Sequence, residues 1–394
     1  MQLPRRSFLA AAGLAALSDA VGQENNPAAQ VADRTSSLRL TGLRAHWVSN
    51  RVYLRLDTNH GLVGWGEVKA VDPRVSKPLA QSLFELLEGE NPTRIEHLWQ
   101  KVYRAHRDIR GGPFLVHTLA GFDMALWDLT ARAWGVPVYR LLGGPCRDRI
   151  RVYANDRGIK VGPPRTYEAA LTPGDVDTLV GIVRRAREKV GPDGAVMFDA
   201  HSMLPPAALI QFANALRPSD VLFIEEPGVP GNIEAFKRIK AAVAVPLAAG
   251  ERDRTIWEVL PYLHERCLDI LQPDCCHTGG ITSMRKIAVL AEAYQVPLAP
   301  HCTASFLGTA ASLHVAASIP NFLIHEFHPR NEGFNPKDLT SMPWAFDKDG
   351  CIPLPPGPGL GVEIHEKLIE EQAAKPQTYR WPGSKLSDGS VADY

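Results

Sequence analysis

Three acidic residues each close a short apolar run in the middle of the chain. Asp199 ends Met197-Phe198-Asp199, Glu225 ends Phe223-Ile224-Glu225 and Glu251 ends Ala248-Ala249-Gly250-Glu251. Successive members stand 26 residues apart, the interval of a repeated strand–helix unit. Carboxylates brought together repel, and burying them without a counter-charge is costly. A hard divalent cation resolves that conflict. All-oxygen ligation favours magnesium or manganese over zinc and leaves coordination positions for water and substrate.

More ionisable residues fall at equivalent places. His201 follows Asp199 by two, so on an extended segment both side chains point the same way, while Glu226 faces the other way and reads as a structural contact. Asp274 closes Gln272-Pro273-Asp274, His301 closes Ala299-Pro300-His301, and Glu326 ends a later run. His301 and Asp274 are candidates for a base and its orienter, since a carboxylate bonded to one ring nitrogen fixes the tautomer and raises the basicity of the other. His264 and His277 read as helix or loop residues.

Such residues need a scaffold that brings distant strand ends to one face. From Arg149 onward the chain alternates short apolar runs (152–154, 195–198, 221–224, 247–249, 270–271, 298–299, 322–324) with helical segments (176–190, 233–242, 256–263, 283–293, 304–317). Buried parallel strands alternating with helices imply a βα barrel or a doubly wound sheet. In a barrel, the carboxyl ends of all strands converge around a ligand. No GxGxxG or Walker loop follows any strand, which argues against nucleotide binding. Before Arg149, strands at 40–48, 52–56 and 63–68 are followed by helical stretches at 77–87, 95–103 and 115–134, the pattern of an α+β domain.

The chain has 394 residues, with 43 basic and 43 acidic, so no net field draws it to nucleic acid or an anionic membrane. Its six cysteines form no CxxC pair and read as buried thiols. Pro4-Arg5-Arg6-Ser7-Phe8-Leu9 before an Ala-rich stretch has the form of a twin-arginine export signal spanning 1–20, with Ser18-Asp19-Ala20 as a loose cleavage site. The expected location is therefore the periplasm, or the cytoplasm if the signal is not used. Residues 21–36 read as a linker. No later apolar run is long enough to span a bilayer, so no membrane association is expected after processing.

Together these residues resemble the enolase superfamily, in particular the acid-sugar dehydratases of its mandelate racemase subgroup. The likeness is carried by Gly64-Trp65-Gly66-Glu67, Gly121-Phe122-Asp123-Met124-Ala125-Leu126-Trp127-Asp128 and Leu141-Leu142-Gly143-Gly144 in the first domain. In the second it is carried by Ile224-Glu225-Glu226-Pro227, Gly250-Glu251-Arg252, Gln272-Pro273-Asp274, Gly279-Gly280-Ile281-Thr282 and Pro300-His301-Cys302, with Pro356-Gly357-Pro358-Gly359-Leu360-Gly361 near the end. The resemblance implies an α/β protein: an α+β capping domain (37–148), a modified TIM-type (β/α)7β barrel (149–354) and a C-terminal segment returning to the cap (355–394). It implies one Mg2+ per site, with Mn2+ able to substitute, held by Asp199, Glu225 and Glu251, and a small-molecule sugar acid as the partner. His301, oriented by Asp274, resembles the base that forms a metal-stabilised enediolate. Glu326 resembles a protonated acid that hydrogen-bonds the enediolate, and His201 the general acid that expels the 3-hydroxyl to leave a 2-keto-3-deoxy acid. An even-numbered homo-oligomer is also implied. Cap loops around 47–51, 68–75 and 106–112 would set specificity, with Arg107 and Arg110 as candidate substrate contacts.

One stretch departs from the family pattern. Between Val152 and Asp199 only one clear helix reads, 176–190, and Ile159–Pro164 reads as a Gly/Pro-rich loop holding an isolated Lys160. One helix-strand unit of the barrel thus reads as missing or badly shortened. A racemase needs bases on both faces of the reacting carbon, often a lysine pair on the second strand, and no Lys-x-Lys occurs here. Three readings stand: a dehydratase, an epimerase or racemase of a carboxylate substrate, and a degenerate homologue that binds metal and sugar acid without catalysis.

Overall fold

A computed structural model describes residues 37–153, 155–217, 220–328, 340–341, 344–380, 383–386 and 388–392. The expected export signal and linker lie outside the described residues. No described helix is long and apolar enough to cross a membrane.

The first elements are three antiparallel strands in sequence order, β1 (Leu40–Val48), β2 (Arg51–Thr58) and β3 (Val63–Val68). Helices α1 (Pro73–Phe84), α2 (Ile95–Ala105) and α3 (Pro113–Trp134) follow. The Gly-Trp-Gly-Glu motif is explained by how β3 meets α3. A Cβ on Gly66 would lie 1.8 Å from Gly121 O, and one on Gly64 2.2 Å from Ala125 O, so only glycine lets the backbones approach this closely. That close approach carries Glu67 to full burial at the cap–barrel boundary.

After the short α4 (Val138–Leu141), the barrel begins with β4 (Arg149–Arg151). The next strands are β5 (Gly158–Val161), β6 (Ala195–Asp199), β7 (Phe223–Glu225), β8 (Leu247–Ala249) and β9 (Ile270–Leu271), all parallel and in that order. Parallel bridges continue the ring from Leu271 to Leu298, from Leu298 to Phe322 and from His325 to Val152. Around the outside run α5 (Pro173–Val190), α6 (Pro206–Ala215), α7 (Ile233–Ala242), α8 (Thr255–His264), α9 (Gly280–Ala293) and α10 (Phe306–Ser318).

The second strand is therefore present, which corrects the sequence reading. Gly158–Val161 pairs in parallel register with Ala195–Phe198. What is missing among the described residues is the helix between the first two strands. The chain instead turns at Asn155 and Gly158, which exchange backbone hydrogen bonds of 3.1 and 3.2 Å. The Asn155 side chain ties the turn down, donating to Val152 O and Gly350 O and accepting from Arg157 N. A four-residue strand bounded by Gly158 and Gly162-Pro163-Pro164 is too short for alternation to show, so its composition reads as loop.

The barrel interior is filled by Tyr153, Ala195, Met197, Phe223, Ala248, Ile270, Ala299 and Ile324. Side chains two residues apart on a strand share a face. Met197 is thus followed on the inner face by Asp199, Phe223 by Glu225, Ala299 by His301 and Ile324 by Glu326. The packed layer forms the floor on which the ionisable residues stand.

The C-terminal part adds β10 (Thr340–Ser341), β11 (Cys351–Pro353), β12 (Glu363–Ile364) and α11 (Glu366–Ala373). β11 pairs antiparallel with β4, and Glu366 of α11 pairs with Arg44 and Arg55 of the cap sheet. Asp128 of α3 accepts from Leu360 N at 2.8 Å, another tie between this segment and the cap.

Candidate active site

Asp199, Glu225 and Glu251 converge as the spacing predicts: one carboxylate oxygen from each lies within 4.8 Å of the others, and all three residues are buried. Asp199 and Glu225 are the last residues of β6 and β7, paired side by side in the sheet. Glu251 follows Gly250, whose φ of 126° is open only to glycine and redirects the chain just past β8.

His201 also lies beside the cluster, but for a different reason from the one expected. It is not on an extended segment: His201 and Ser202 take φ of 47° and 55°, two consecutive left-handed residues that cost on the order of 1 kcal/mol each. The turn is held by His201 N donating to Asp199 Oδ1 at 3.0 Å and Ser202 N donating to Glu226 O at 3.0 Å. Arg252 locks it from the loop after β8, donating to Ser202 Oγ at 2.6 Å while pairing with Glu226. His201 Nε2 thereby reaches 2.9 Å from Asp199 Oδ2.

At the Glu251 end stands the histidine–carboxylate pair. His301 Nδ1 lies 2.7 Å from Asp274 Oδ2, and Nε2 faces Glu251 and Glu326 at 3.7 Å from each. Asp274 Oδ1 accepts from Cys276 N at 2.7 Å in the turn after β9. Although burial pushes the Asp274 pKa up, His277, then Lys69 and His301, hold it well below the usual carboxylate range. Burial lowers the His301 pKa, but Glu251, Glu326 and Asp274 together push it up to about 10. Glu251 makes the largest upward contribution, so offsetting its charge brings the imidazole back toward a proton acceptor.

Sequence reasoning missed Lys160. Its ammonium lies 2.8 Å from Glu326 Oε1, 3.0 Å from Asp199 Oδ2 and 3.1 Å from Glu225 Oε1. Burial opposes that charge, yet Glu225, Glu326 and Asp199 raise its pKa well above the ordinary lysine value. Two residues on, where a lysine pair would put its second member, stands Gly162, whose Cβ would be 2.7 Å from Asp199 O. The β-branched neighbours Ile159 and Val161 were the one local hint of a strand. Lys69, His277 and His328 were missed as well; His328 Nε2 lies 3.0 Å from Glu326 Oε1.

Burial raises the Glu326 pKa, but Lys160, His301 and His328 outweigh it and hold it well below the usual range, a direction opposite to the protonation the resemblance implies. Its Oε2 also accepts from Cys302 N at 2.8 Å. The expected contacts Arg107 and Arg110 stay away from this cluster. Arg107 pairs with Asp108 at 3.3 Å, both exposed, and Arg110 lies over the Tyr103 ring. Both line a cleft of about 760 Å³ with Trp99 and Trp257, which contains none of the residues just described. Long side chains on an exposed loop are solvated there instead.

The carboxylate cluster fits a divalent cation. Glu225 Oε2 and Glu251 Oε2 are buried with no hydrogen-bond partner. Burial first, and then neighbouring carboxylates, raise the pKa of both residues, Glu251 far above the usual value. Oxygen atoms left bare in this way are what a hard cation binds.

Residues 41–143 match the family described as mandelate racemase/muconate lactonizing enzyme, N-terminal domain, and residues 149–368 match enolase C-terminal domain-like. The D-galactonate dehydratase of Variovorax paradoxus is 36% identical over 385 residues, covering 91% of this chain and all of that protein. That of Ralstonia nicotianae is 35% identical with the same coverages. Among solved structures, an enolase from Agrobacterium radiobacter, provisionally named a galactarate dehydratase and bound to sodium and L-malate, is 34% identical with a TM-score of 0.82, covering 90% of this chain and 99% of that one.

Proposed function

The chain belongs to the mandelate racemase/muconate lactonizing enzyme group of the enolase superfamily and is a hydro-lyase of sugar acids, and on that premise we propose how its residues divide the dehydration. The observation that carries the proposal is the arrangement of two histidines about one carboxylate cluster. His301, backed by Asp274, stands at its Glu251 end, and His201 at its Asp199 end.

Asp199, Glu225 and Glu251 would hold a divalent cation, magnesium by the preference of hard ions for oxygen donors. When bound, the ion supplies charge stabilisation for the substrate carboxylate and for the oxyanion that develops beside it. Lys160 donates to a carboxylate oxygen of the substrate; tightly held as an ammonium, it is unsuited to act as a base. His301 Nε2 removes the proton from the carbon next to the carboxylate, while Asp274 accepts the Nδ1–H bond. The resulting enediolate expels its 3-hydroxyl, which takes a proton from His201 and leaves as water. The enol product then gains a proton at carbon 3, releases the proton of its carbon-2 hydroxyl to solvent and becomes a 2-keto-3-deoxy acid. Glu326, ionised beside Lys160, keeps that ammonium charged and in place.

Epimerisation is disfavoured because Gly162 offers no second base where one would stand. A non-catalytic homologue is disfavoured because β5 is present and pairs in register with β6. The test is incubation of the purified protein with magnesium and a panel of aldonates and aldarates, D-galactonate first, with an assay for 2-keto acid. Formation of 2-keto acid from at least one member is expected. No product from any member overturns the proposal.

A further inference from the structure

Three residues in or next to the cap sheet reach across to the barrel loop that carries His301. Arg51 on β2 pairs with Glu67 at 2.7 Å and donates to Thr303 O at 2.9 Å. Glu67 on β3 accepts from Ser305 N at 3.0 Å and Gly308 N at 3.1 Å, satisfying donors at the start of α10. Lys69, one residue past β3, reaches furthest. Its Nζ lies 3.0 Å from Asp274 Oδ2 and donates to Thr303 Oγ1 at 2.6 Å.

Only 5% of the Lys69 side chain is exposed, and the group is held from every side. Its own carbonyl accepts from His117 Nδ1 at 3.0 Å, and the His117 ring stacks on His277 with centroids 4.6 Å apart. Burying an ammonium is costly unless it meets a carboxylate in good geometry. The carboxylate it meets is the one that orients His301, and both bonds fall on the same oxygen, Oδ2. Asp274, His277 and His301 also have the spacing of a metal-binding trio, but the lysine already supplies the positive charge there.

We propose that Lys69 is a positioning residue for proton abstraction: by anchoring Asp274 from the cap, it fixes the tautomer and direction of the His301 imidazole. The inference rests on the dehydratase reading above. Two consequences follow from the geometry. Asp274 cannot rotate away from Nδ1 without also breaking its bond to Lys69, so Nε2 stays aimed at the carboxylate cluster. A cation on Oδ2 also keeps Asp274 ionised after His301 takes up a proton, so the abstracted proton remains on the imidazole. The base is complete only when the cap sheet is docked on the barrel.

The test compares Lys69→Met with Lys69→Arg, reading steady-state kinetics and the imidazole spectrum of His301. That resonance is assigned by its loss in His301→Asn. With methionine, kcat falls about 10- to 100-fold with KM little changed, the range typical when a supporting hydrogen bond behind a site residue is lost. The deshielded Nδ1–H signal of His301 broadens or moves upfield, and arginine recovers most of both. Unchanged kcat and an unchanged His301 signal in Lys69→Met overturn the proposal, as does a rise in KM alone. Should the methionine variant fail to fold, Thr303→Val removes the second anchor and leaves every charge in place. It is expected to lower kcat about threefold to tenfold at constant KM, and no change there counts against Lys69. If the unmodified enzyme dehydrates no acid, the dehydratase reading fails separately, and Lys69 is still decided by the His301 signal.

Discussion

The Lys160 ammonium and the Glu326 carboxylate stand 2.8 Å apart at the seam where the last barrel strand meets the first two. The loss of a helix at that seam has left the ionic centre of the site intact, because a four-residue strand is enough to carry one lysine to the cluster. Lys160 also lies about 3 Å from two of the proposed metal ligands, Asp199 and Glu225. It therefore opposes cation binding while favouring an anionic substrate. Lys160→Met should raise KM and lower kcat/KM by about 100-fold or more, the scale of losing a charged hydrogen bond in a dry site. Magnesium affinity, measured by calorimetry, should be unchanged or tighter. Loss of magnesium binding in this variant would contradict the assignment.

His201 acts after proton abstraction, which separates its loss from that of His301. His201→Asn should lose dehydration by about 100- to 10,000-fold, the usual contribution of a positioned acid. Exchange of the proton next to the carboxylate with deuterated solvent should persist. The check is a 2-keto acid assay run beside proton NMR of the recovered substrate; parallel loss of both signals would place His201 elsewhere in the reaction.

Magnesium should stabilise the folded chain, because it binds oxygens that are bare and clustered only when the strands are assembled. At a concentration 100 times its dissociation constant the gain is about 2.7 kcal/mol. Melting curves recorded across a magnesium titration should move upward, and chelation should reverse the rise. Glu225→Gln should flatten the response. A melting temperature indifferent to magnesium would argue against the cluster as a cation site.

Buried histidines outside the site set an acid limit on stability. Burial lowers the His314 pKa to about 3, and that of His325 to about 4 with the same cause leading. Between pH 6.5 and those values the unfolded chain binds protons that the folded chain refuses, so stability falls as pH falls. For His314 the loss amounts to about 2 kcal/mol by pH 5. Urea midpoints at pH 7 and pH 5 should therefore differ less for His314→Gln than for the natural chain. Equal differences would show that His314 does not carry this linkage.

Much of the site could be read from the chain because strand ends and helices repeat. Asp199, Glu225 and Glu251 recur at one interval, and each closes an apolar run, so barrel geometry brings them together without further information. His301 and Asp274 could be paired for the same reason. Lys160 could not, because its strand has four residues, no helix before it and Gly/Pro on its far side, leaving no periodicity to detect. Lys69 was hidden for another reason. Its partner Asp274 lies in the other domain, and nothing local marks a lysine after a strand as one that will be buried. The charge on Glu326 depends on Lys160, 2.8 Å away, so a sequence in which that strand reads as loop gives no sign of the pairing. Arg107 and Arg110 lie on an exposed loop, where charge alone does not indicate which cleft a side chain lines.

In the proposed reaction His301 takes the proton next to the substrate carboxylate at the Asp199–Glu225–Glu251 cluster. The most direct measurement follows deuterium uptake at that carbon by NMR, with magnesium in deuterated buffer, for the natural enzyme and for His301→Asn. Uptake or turnover is expected in the natural enzyme and neither in the variant, with magnesium affinity retained in both. Undiminished exchange or dehydration by His301→Asn would contradict it.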